Sequence, residues 1–332
     1  MPGARLLQAY RRTGADLPFG DRSRAHGVAF EGYYWRITDA VAGRVAIALC
    51  GVSRGPGDLW ALVALAAEPG GLVRHAVVQS GVRADPERFG VHAGTALVGD
   101  GRRLRVDLGP GARLDVELAA PAGAPRRTFG ALGAAHALPG LPQYWDPLLL
   151  GVGARGRAEL GEERVAFTTA ATAYVEKNWG PRFSEHWWWG QAQDFEGADA
   201  CVAFAGGRIE LAGLAAAPSA VVLRLEGEVL RVAPPVARMT AAVGEGGWRI
   251  HARSARHELV LEGHADGGAP AVLPVPVAGE RRVELRSRQH LAGRLHVRVR
   301  RGRRLLFTGE SALAGLEHGT PLSDPPPAAR QG

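Results

Sequence analysis

Glu176-Lys177-Asn178-Trp179 sets a carboxylate, an ammonium, an amide and an indole side by side, within a run from Tyr174 to Phe195. The run holds four of the eight tryptophans, Trp179, Trp187, Trp188 and Trp189. It also holds the one lysine among 40 basic residues. Lys and Arg differ in hydration and in readiness to shift pKa, so a single retained ammonium marks the segment. Read as strand, turn and strand, it places Tyr174, Glu176 and Asn178 on one face, and Val175, Lys177 and Trp179 on the other. Gly180-Pro181 ends the first strand. On the second, Trp187, Trp189, Gln191 and Gln193 share a face opposite Trp188, Gly190, Ala192 and Asp194. Buried amides need partners, so two indoles followed by two amides is an odd core face. It suits a pocket with apolar walls and a few placed polar groups. The plain alternative is a Trp-rich core with amides at a barrel mouth.

Two further clusters carry usable side chains. In Phe30-Glu31-Gly32-Tyr33-Tyr34-Trp35-Arg36, alternation groups Glu31, Tyr33 and Trp35 against Gly32, Tyr34 and Arg36. The plain alternative is a strand with an aromatic anchor and a surface ion pair. In Gln143-Tyr144-Trp145-Asp146-Pro147, the proline restrains Asp146 to an extended or turn conformation. Asp146 there serves equally as a backbone cap or as a site carboxylate.

The elements around these clusters read as short strands separated by Gly, Pro and Asp-Gly punctuation. The strand-like runs are Val45–Val52, Leu59–Ala66, Arg74–Gln79, Leu104–Leu108 and Arg113–Ala119. After them come Leu148–Val152, Arg164–Thr168, Thr172–Lys177, Trp187–Phe195, Cys201–Phe204, Val221–Leu225, Glu228–Val232, Trp248–Arg253 and Glu258–Gly263. A last pair is Arg282–Arg286 and Arg294–Arg300. Gly99-Asp100-Gly101 reads as a hairpin turn. Only Leu6–Arg11 and Pro86–Phe89 carry weak helical signals. Many short strands at even spacing predict an all-β protein of two barrel or sandwich domains. The Ala-, Gly- and Pro-rich stretch 121–142 places the boundary, giving domains over 1–130 and 131–319. The Pro-rich tail 320–332 reads as disordered.

The net charge of +7 and pI near 10.2 resemble a nucleic-acid signal. The arginines are spread along the chain with no recognition module, so no nucleic-acid partner is expected. In 294–300, basic and apolar residues alternate as in a half-buried strand with a solvated face. Weak attraction to anionic lipid fits the charge, and peripheral membrane contact is the one membrane role expected. Cys50 and Cys201 read as buried thiols rather than a disulfide framework. Met1 to Gly20 lacks a signal-peptide core, and no apolar run spans a bilayer, which predicts a cytoplasmic protein. There is no G-x-S-x-G, P-loop or dinucleotide fingerprint. His257-Glu258 does not continue to H-E-x-x-H, and no metal site is expected.

Glu176-Lys177-Asn178-Trp179-Gly180, Phe183, Trp187-x-Trp189-x-Gln191 and Phe195-Glu196-Gly197 together resemble the signature of the tocopherol cyclase family. Phe30-Glu31-Gly32-Tyr33-Tyr34 is similar to its N-terminal block, and Tyr144-Trp145-Asp146-Pro147 to the block before its central strands. Weaker similarity covers Trp248–Gly263 and Ser311–Gly319. Ser184, Tyr33 and Gln193 replace the proline, tryptophan and asparagine of the plant pattern. Glu317-His318-Gly319-Thr320 stands where the plant proteins have a glycine-rich aromatic ending.

The resemblance implies two lipocalin-like domains, no cofactor, and an apolar ligand held as lipocalin barrels hold theirs. It also places the chain near carotenoid hydratases and pericyclase-type cyclases. The implied reaction closes a chromanol-type ring on a prenylated hydroquinone. An acid protonates the alkene, a tertiary cation forms, and the phenol oxygen closes on it. The acid must stay protonated, which burial can achieve. Indole faces stabilise the cation, and amides orient the quinol. Glu176 or Glu31 supplies the acid, with Asn178 beside it; if Lys177 holds one carboxylate ionised, the other is the donor. Trp187, Trp189, Gln191, Gln193, Tyr33, Trp35, Tyr174, Trp179, Tyr144 and Asp146 make up the expected substrate-binding set. The substrate is expected to be a lipophilic prenylated aromatic or polyene. An alkene hydratase, a pericyclase or a non-catalytic carrier are the other readings.

Overall fold

Period-two alternation and glycine turns fold nearly every described segment into antiparallel strands. A computed structural model describes residues 29–54, 59–85, 89–119, 130–133, 136, 141–211, 214–277 and 280–319. The first sheet contains β1 (Phe30–Asp39), β2 (Arg44–Arg54), β3 (Leu59–Glu68), β4 (Leu72–Val78), β5 (Val82–Ala84) and β6 (Gly90–Ala93). It continues with β7 (Leu97–Asp100), β8 (Arg103–Asp107), β9 (Ala112–Leu118), β10 (Tyr144–Leu160), β11 (Glu163–Ala166) and β12 (Thr172–Gly180). Its order is β4-β3-β2-β1-β12-β10-β9-β8-β7-β6-β5, with β11 on β10. Strands β5 and β6 return against β2 and β3, so the sheet nearly closes.

The second sheet begins with β13 (Trp187–Ala192) and β14 (Ala200–Gly207). A small hairpin, β15 (Ile209–Leu211) and β16 (Leu214–Ala216), follows as a separate ladder. Then come β17 (Ser219–Leu225), β18 (Glu228–Val232), β19 (Ala237–Gly244), β20 (Gly247–Ser254), β21 (His257–His264), β22 (Ala271–Pro276), β23 (Val283–Arg301) and β24 (Arg304–Gly319). Its order is β18-β17-β14-β13-β24-β23-β21-β20-β19, with β22 on β23. Strands β17 and β18 meet β19 and β20, so this sheet nearly closes too. The turn from β17 to β18 uses Glu226 at φ 47° and Gly227 at φ 82°. Two positive φ angles make the type I′ turn whose twist matches a hairpin.

The chain is thus all-β, in two lipocalin-like barrel-type domains. The sheets divide between Gly180 and Trp187, not at 130/131. Strands β10 and β12 complete the first sheet because β12 inserts between β1 and β10. The Pro- and Gly-rich stretch 121–142 falls between β9 and β10 of that sheet, and most of it lies outside the described residues. The 320–332 tail, Leu6–Arg11 and most of Pro86–Phe89 lie outside the described residues. The runs 282–286 and 294–300 are joined as one strand, β23, which absorbs irregular register at Gly293.

Among the described residues, three large apolar cores follow from this division, beside a small cluster of Tyr144 and Trp179. One fills the first sheet around Trp35, Leu65, Leu104 and Val175. A second fills the other sheet around Phe204, Trp248, Leu261 and Val297. The third lies between the sheets, drawing Tyr34, Ile47, Trp145 and Tyr174 from one and Trp189, Val222 and Leu291 from the other. Both barrel interiors are filled by side chains, so the space for a ligand is found elsewhere.

Candidate active site

A cavity of about 470 Å³ opens between the two sheets. Its walls are mostly apolar, and among the described residues its carboxyl groups are Glu176 and Glu317. This corrects the expectation of a ligand inside a barrel. The inward faces of both barrels pack on themselves, and the outward faces of β1, β12, β10 and β13 build the site.

Register explains which side chains arrive. Strand β1 pairs with β12 so that Gly32 faces Asn178, Tyr34 faces Glu176 and Arg36 faces Tyr174. Strand β10 brings Trp145 opposite Asn178. Directly opposed residues share a face, so Gly32, Tyr34, Trp145, Tyr174, Glu176 and Asn178 project to one side. Gly32 is needed because a Cβ there would lie 2.3 Å from Asn178 Oδ1.

Glu176 is 4% exposed. Three donors converge on its Oε2: Trp145 Nε1 at 2.6 Å, Trp189 Nε1 at 2.8 Å and Tyr174 Oη at 2.5 Å. Burial raises its pKa to about 7 against the pull of these three donors, and the charge of Glu317 adds to the rise. Burial also raises Glu317, opposed by the Trp187 indole and the Ser287 hydroxyl. The Tyr34 ring meets Trp189 edge-on with centroids 5.2 Å apart. Its hydroxyl accepts from Gln289 Nε2 at 2.9 Å, and burial raises its pKa. Trp187 carries the Arg286 guanidinium 5.0 Å over its ring and meets Phe183 at 5.7 Å. Trp189 is therefore the better placed indole for a substrate cation, because a face of Trp187 is already occupied by a cation.

The expected residues fall into three groups. Glu176, Asn178, Trp187 and Trp189 line the cavity, and Tyr33 borders it. Tyr174 is not in the lining and donates its hydroxyl to Glu176. The others point elsewhere. Glu31 sits on the opposite face of β1, paired with Lys177 Nζ at 3.1 Å and Arg54 at 3.4 Å. Lys177 also lies 4.8 Å over the Tyr33 ring. Trp35 packs in the first core. Tyr144 stacks on Trp179 at 5.7 Å beside His136. Asp146 Oδ1 accepts from Ala131 N at 2.8 Å, the capping role. Gln191 reaches Cys201 within the second sheet, and Gln193 donates to the Thr172 carbonyl of the first sheet at 3.1 Å, so Gln193 is the amide that ties the sheets together. The two carboxyls are thus separated: Lys177 pairs with Glu31 on the far face, and Glu176 lines the cavity.

Tyr34, Trp145, Glu317, Ser287 and Gln289 were missed. The alternation at 30–36 and 143–147 already separated Tyr34 and Trp145 from their neighbours. Only the pairing of β12 between β1 and β10 shows which face meets the cavity. Glu317 lies in the stretch that departs from the plant pattern. Among the described residues, no group of three or more His, Cys, Asp or Glu side chains is arranged to hold a metal ion.

Comparisons with known proteins bear on the family and the fold. The chain is 30% identical over 131 residues to a probable chloroplastic tocopherol cyclase of Oryza sativa subsp. japonica, covering 38% of this chain and 28% of that protein. It is 29% identical over 149 residues to the chloroplastic tocopherol cyclase of Zea mays, covering 43% and 31%. The matched segments thus span under a third of these relatives. Three solved structures share the fold. CghA gives a TM-score of 0.56 at 13% identity, covering 94% of this chain and 96% of that one. A putative AttH from Nitrosomonas europaea gives 0.53 at 14%, covering 92% and 97%. Kievitone hydratase from Nectria haematococca gives 0.52 at 11%, covering 89% of both. The family model described as tocopherol cyclase-like matches residues 124–320, from before the Tyr144 block to the end of β24. The chain belongs to the tocopherol cyclase-like family.

Proposed function

We propose that this protein is an acid-catalysed cyclase that closes a chromanol-type ring on a prenylated hydroquinone. The observation that carries the reading is the environment of Glu176. Three donors occupy Oε2, so the proton of the neutral acid sits on Oε1. A carboxyl with a pKa near 7 is matched to proton transfer at neutral pH. It borders an apolar cavity of a size typical for a small lipophilic ligand.

Glu176 gives its proton to the less substituted alkene carbon. The tertiary cation that forms faces Trp189 and Tyr34, whose rings stabilise positive charge. Asn178, held over Gly32, is placed to orient the quinol. The phenol oxygen then closes the ring. Family membership supports an enzyme acting on a small lipophilic molecule. The prenylated hydroquinone is our inference from the acid, the aromatic wall and the amide.

Incubation of the protein with a prenylated hydroquinone, followed by mass spectrometry, tests the reading. Cyclisation gives an isomer of unchanged mass. Addition of one water would reveal a hydratase, and unchanged substrate a carrier. Glu176→Gln, which keeps an acceptor for the indoles but has no acidic proton, should lower the rate by about 10²- to 10⁴-fold. Full activity in that variant rules out Glu176 as the donor.

A further inference from the structure

We propose that Glu317 is the second working carboxyl of the cavity, the base that takes the hydroxyl proton as the ring closes. The proposal rests on the cyclase reading above and adds a residue from the other sheet.

The geometry begins on β13. Glu317 lies directly opposite Trp189 on that strand and opposite Gln289 on β23. Opposed residues share a face, so Glu317 projects beside the indole that holds Glu176. Trp187, two residues back on the same face, donates Nε1 to Glu317 Oε1 at 2.6 Å. One strand therefore presents two indole N–H groups, each to a different carboxyl, and the two carboxyls come from different sheets. Ser287 adds a buried hydroxyl to the same wall, 4% exposed, opposite Gly319. Glu317 is half-buried where Glu176 is buried, and it is the more open of the two acids.

Chemistry requires such a base. A phenol oxygen that has attacked a cation holds a strongly acidic proton, and an apolar cavity offers few acceptors. The indoles and Arg286 only donate. The Gln191 and Gln193 amides are turned to the sheet interface. Once deprotonated, the Glu176 carboxylate is stabilised by its three donors and is the poorer acceptor, and among the described residues Glu317 is the other carboxyl lining the cavity. Two nearby carboxyls also resist ionising together, which favours one acid and one base over two of either.

The step balances. The alkene π pair forms a C–H bond with the Glu176 proton. An oxygen lone pair forms the C–O bond, and the O–H bond breaks as its proton moves to Glu317. Nothing is oxidised or reduced, and the product is an isomer of the substrate. The carboxyls have exchanged protonation states. Water entering on product release returns the proton from Glu317 to Glu176.

The test compares wild type, Glu317→Gln and Glu317→Asp on a prenylated hydroquinone and on a ring-fluorinated analogue with a more acidic phenol. Glu317→Gln should lose about 10²-fold or more in kcat on the parent, with KM little changed. The loss should shrink on the fluorinated analogue, because a more acidic O–H needs less help. Glu317→Asp should recover part of the rate. Unchanged activity in Glu317→Gln, or an equal loss on both substrates, overturns the proposal while leaving the cyclase reading intact. A wild type that cyclises neither compound overturns both. If Glu317→Gln fails to fold, by unfolding midpoint and tryptophan fluorescence, the same two-substrate ratio is read from Glu317→Asp.

Discussion

The Glu176 proton is held by opposing forces. Three donors favour the carboxylate, and burial with a nearby second acid favours the neutral form. Burial is the largest influence, and the pKa settles near 7. That balance has a thermodynamic consequence that needs no substrate. An unfolded glutamate titrates at its ordinary value of 4.5, well below the folded one. Between about pH 4.5 and 7 the folded chain binds the extra proton, so this group's contribution to stability falls as pH rises through that window. A shift of that size corresponds to about 3 kcal/mol. Denaturant unfolding of wild type and Glu176→Gln at stepped pH should show the variant gaining on wild type across the window, with the difference level above about pH 8. Parallel curves would mean that Glu176 titrates normally in the fold.

Strand β13 does its positioning through what faces it. Trp187 lies opposite Gly319, where a Cβ would come within 2.1 Å of the indole. Gly319→Ala should push Trp187 off its bond to Glu317 and its contacts with Phe183 and Arg286. A loss of about 1–3 kcal/mol is expected, as for overpacking elsewhere. Activity should fall with it, while Gly268→Ala, where the added Cβ meets nothing, should leave both unchanged. Equal stability of the two variants, with an unaltered near-UV tryptophan signal, would show that Gly319 is not needed for the indole. The same strands show what was legible in sequence. Faces of β12 and β13 read correctly because period two is a local property. Which face of β1 and β10 meets the cavity is not local. It depends on β12 inserting between them, a pairing across more than a hundred residues. Hence the local pattern left out Tyr34 and Trp145, which line the cavity beside Tyr33, and included Tyr144, which does not. The lone Lys177 marked the right strand, but its charge serves the ion pair with Glu31 on the far face.

The cavity lies in the seam between two filled barrels, so neither sheet alone forms it. The sheets are tied across that seam largely through backbone carbonyls. Arg36, fully buried, donates Nη2 to the Leu291 carbonyl at 2.7 Å and the Leu313 carbonyl at 2.5 Å. Arg224 Nε reaches the Leu150 carbonyl at 2.6 Å in the other direction, from the second sheet to the first. Around these ties runs the third apolar core, which neither sheet could keep dry by itself. Separating the sheets would expose that core and leave Arg36 without acceptors, so the two should unfold together despite their separate interiors. A ligand in the cavity touches both and should stabilise both. A chromanol at 100 times its Kd should add about 2.7 kcal/mol. In calorimetry this appears as one endotherm moving upward as a unit. Two endotherms, with the chromanol moving only one of them, would show that the seam does not couple the sheets and that the ligand is held by one sheet alone.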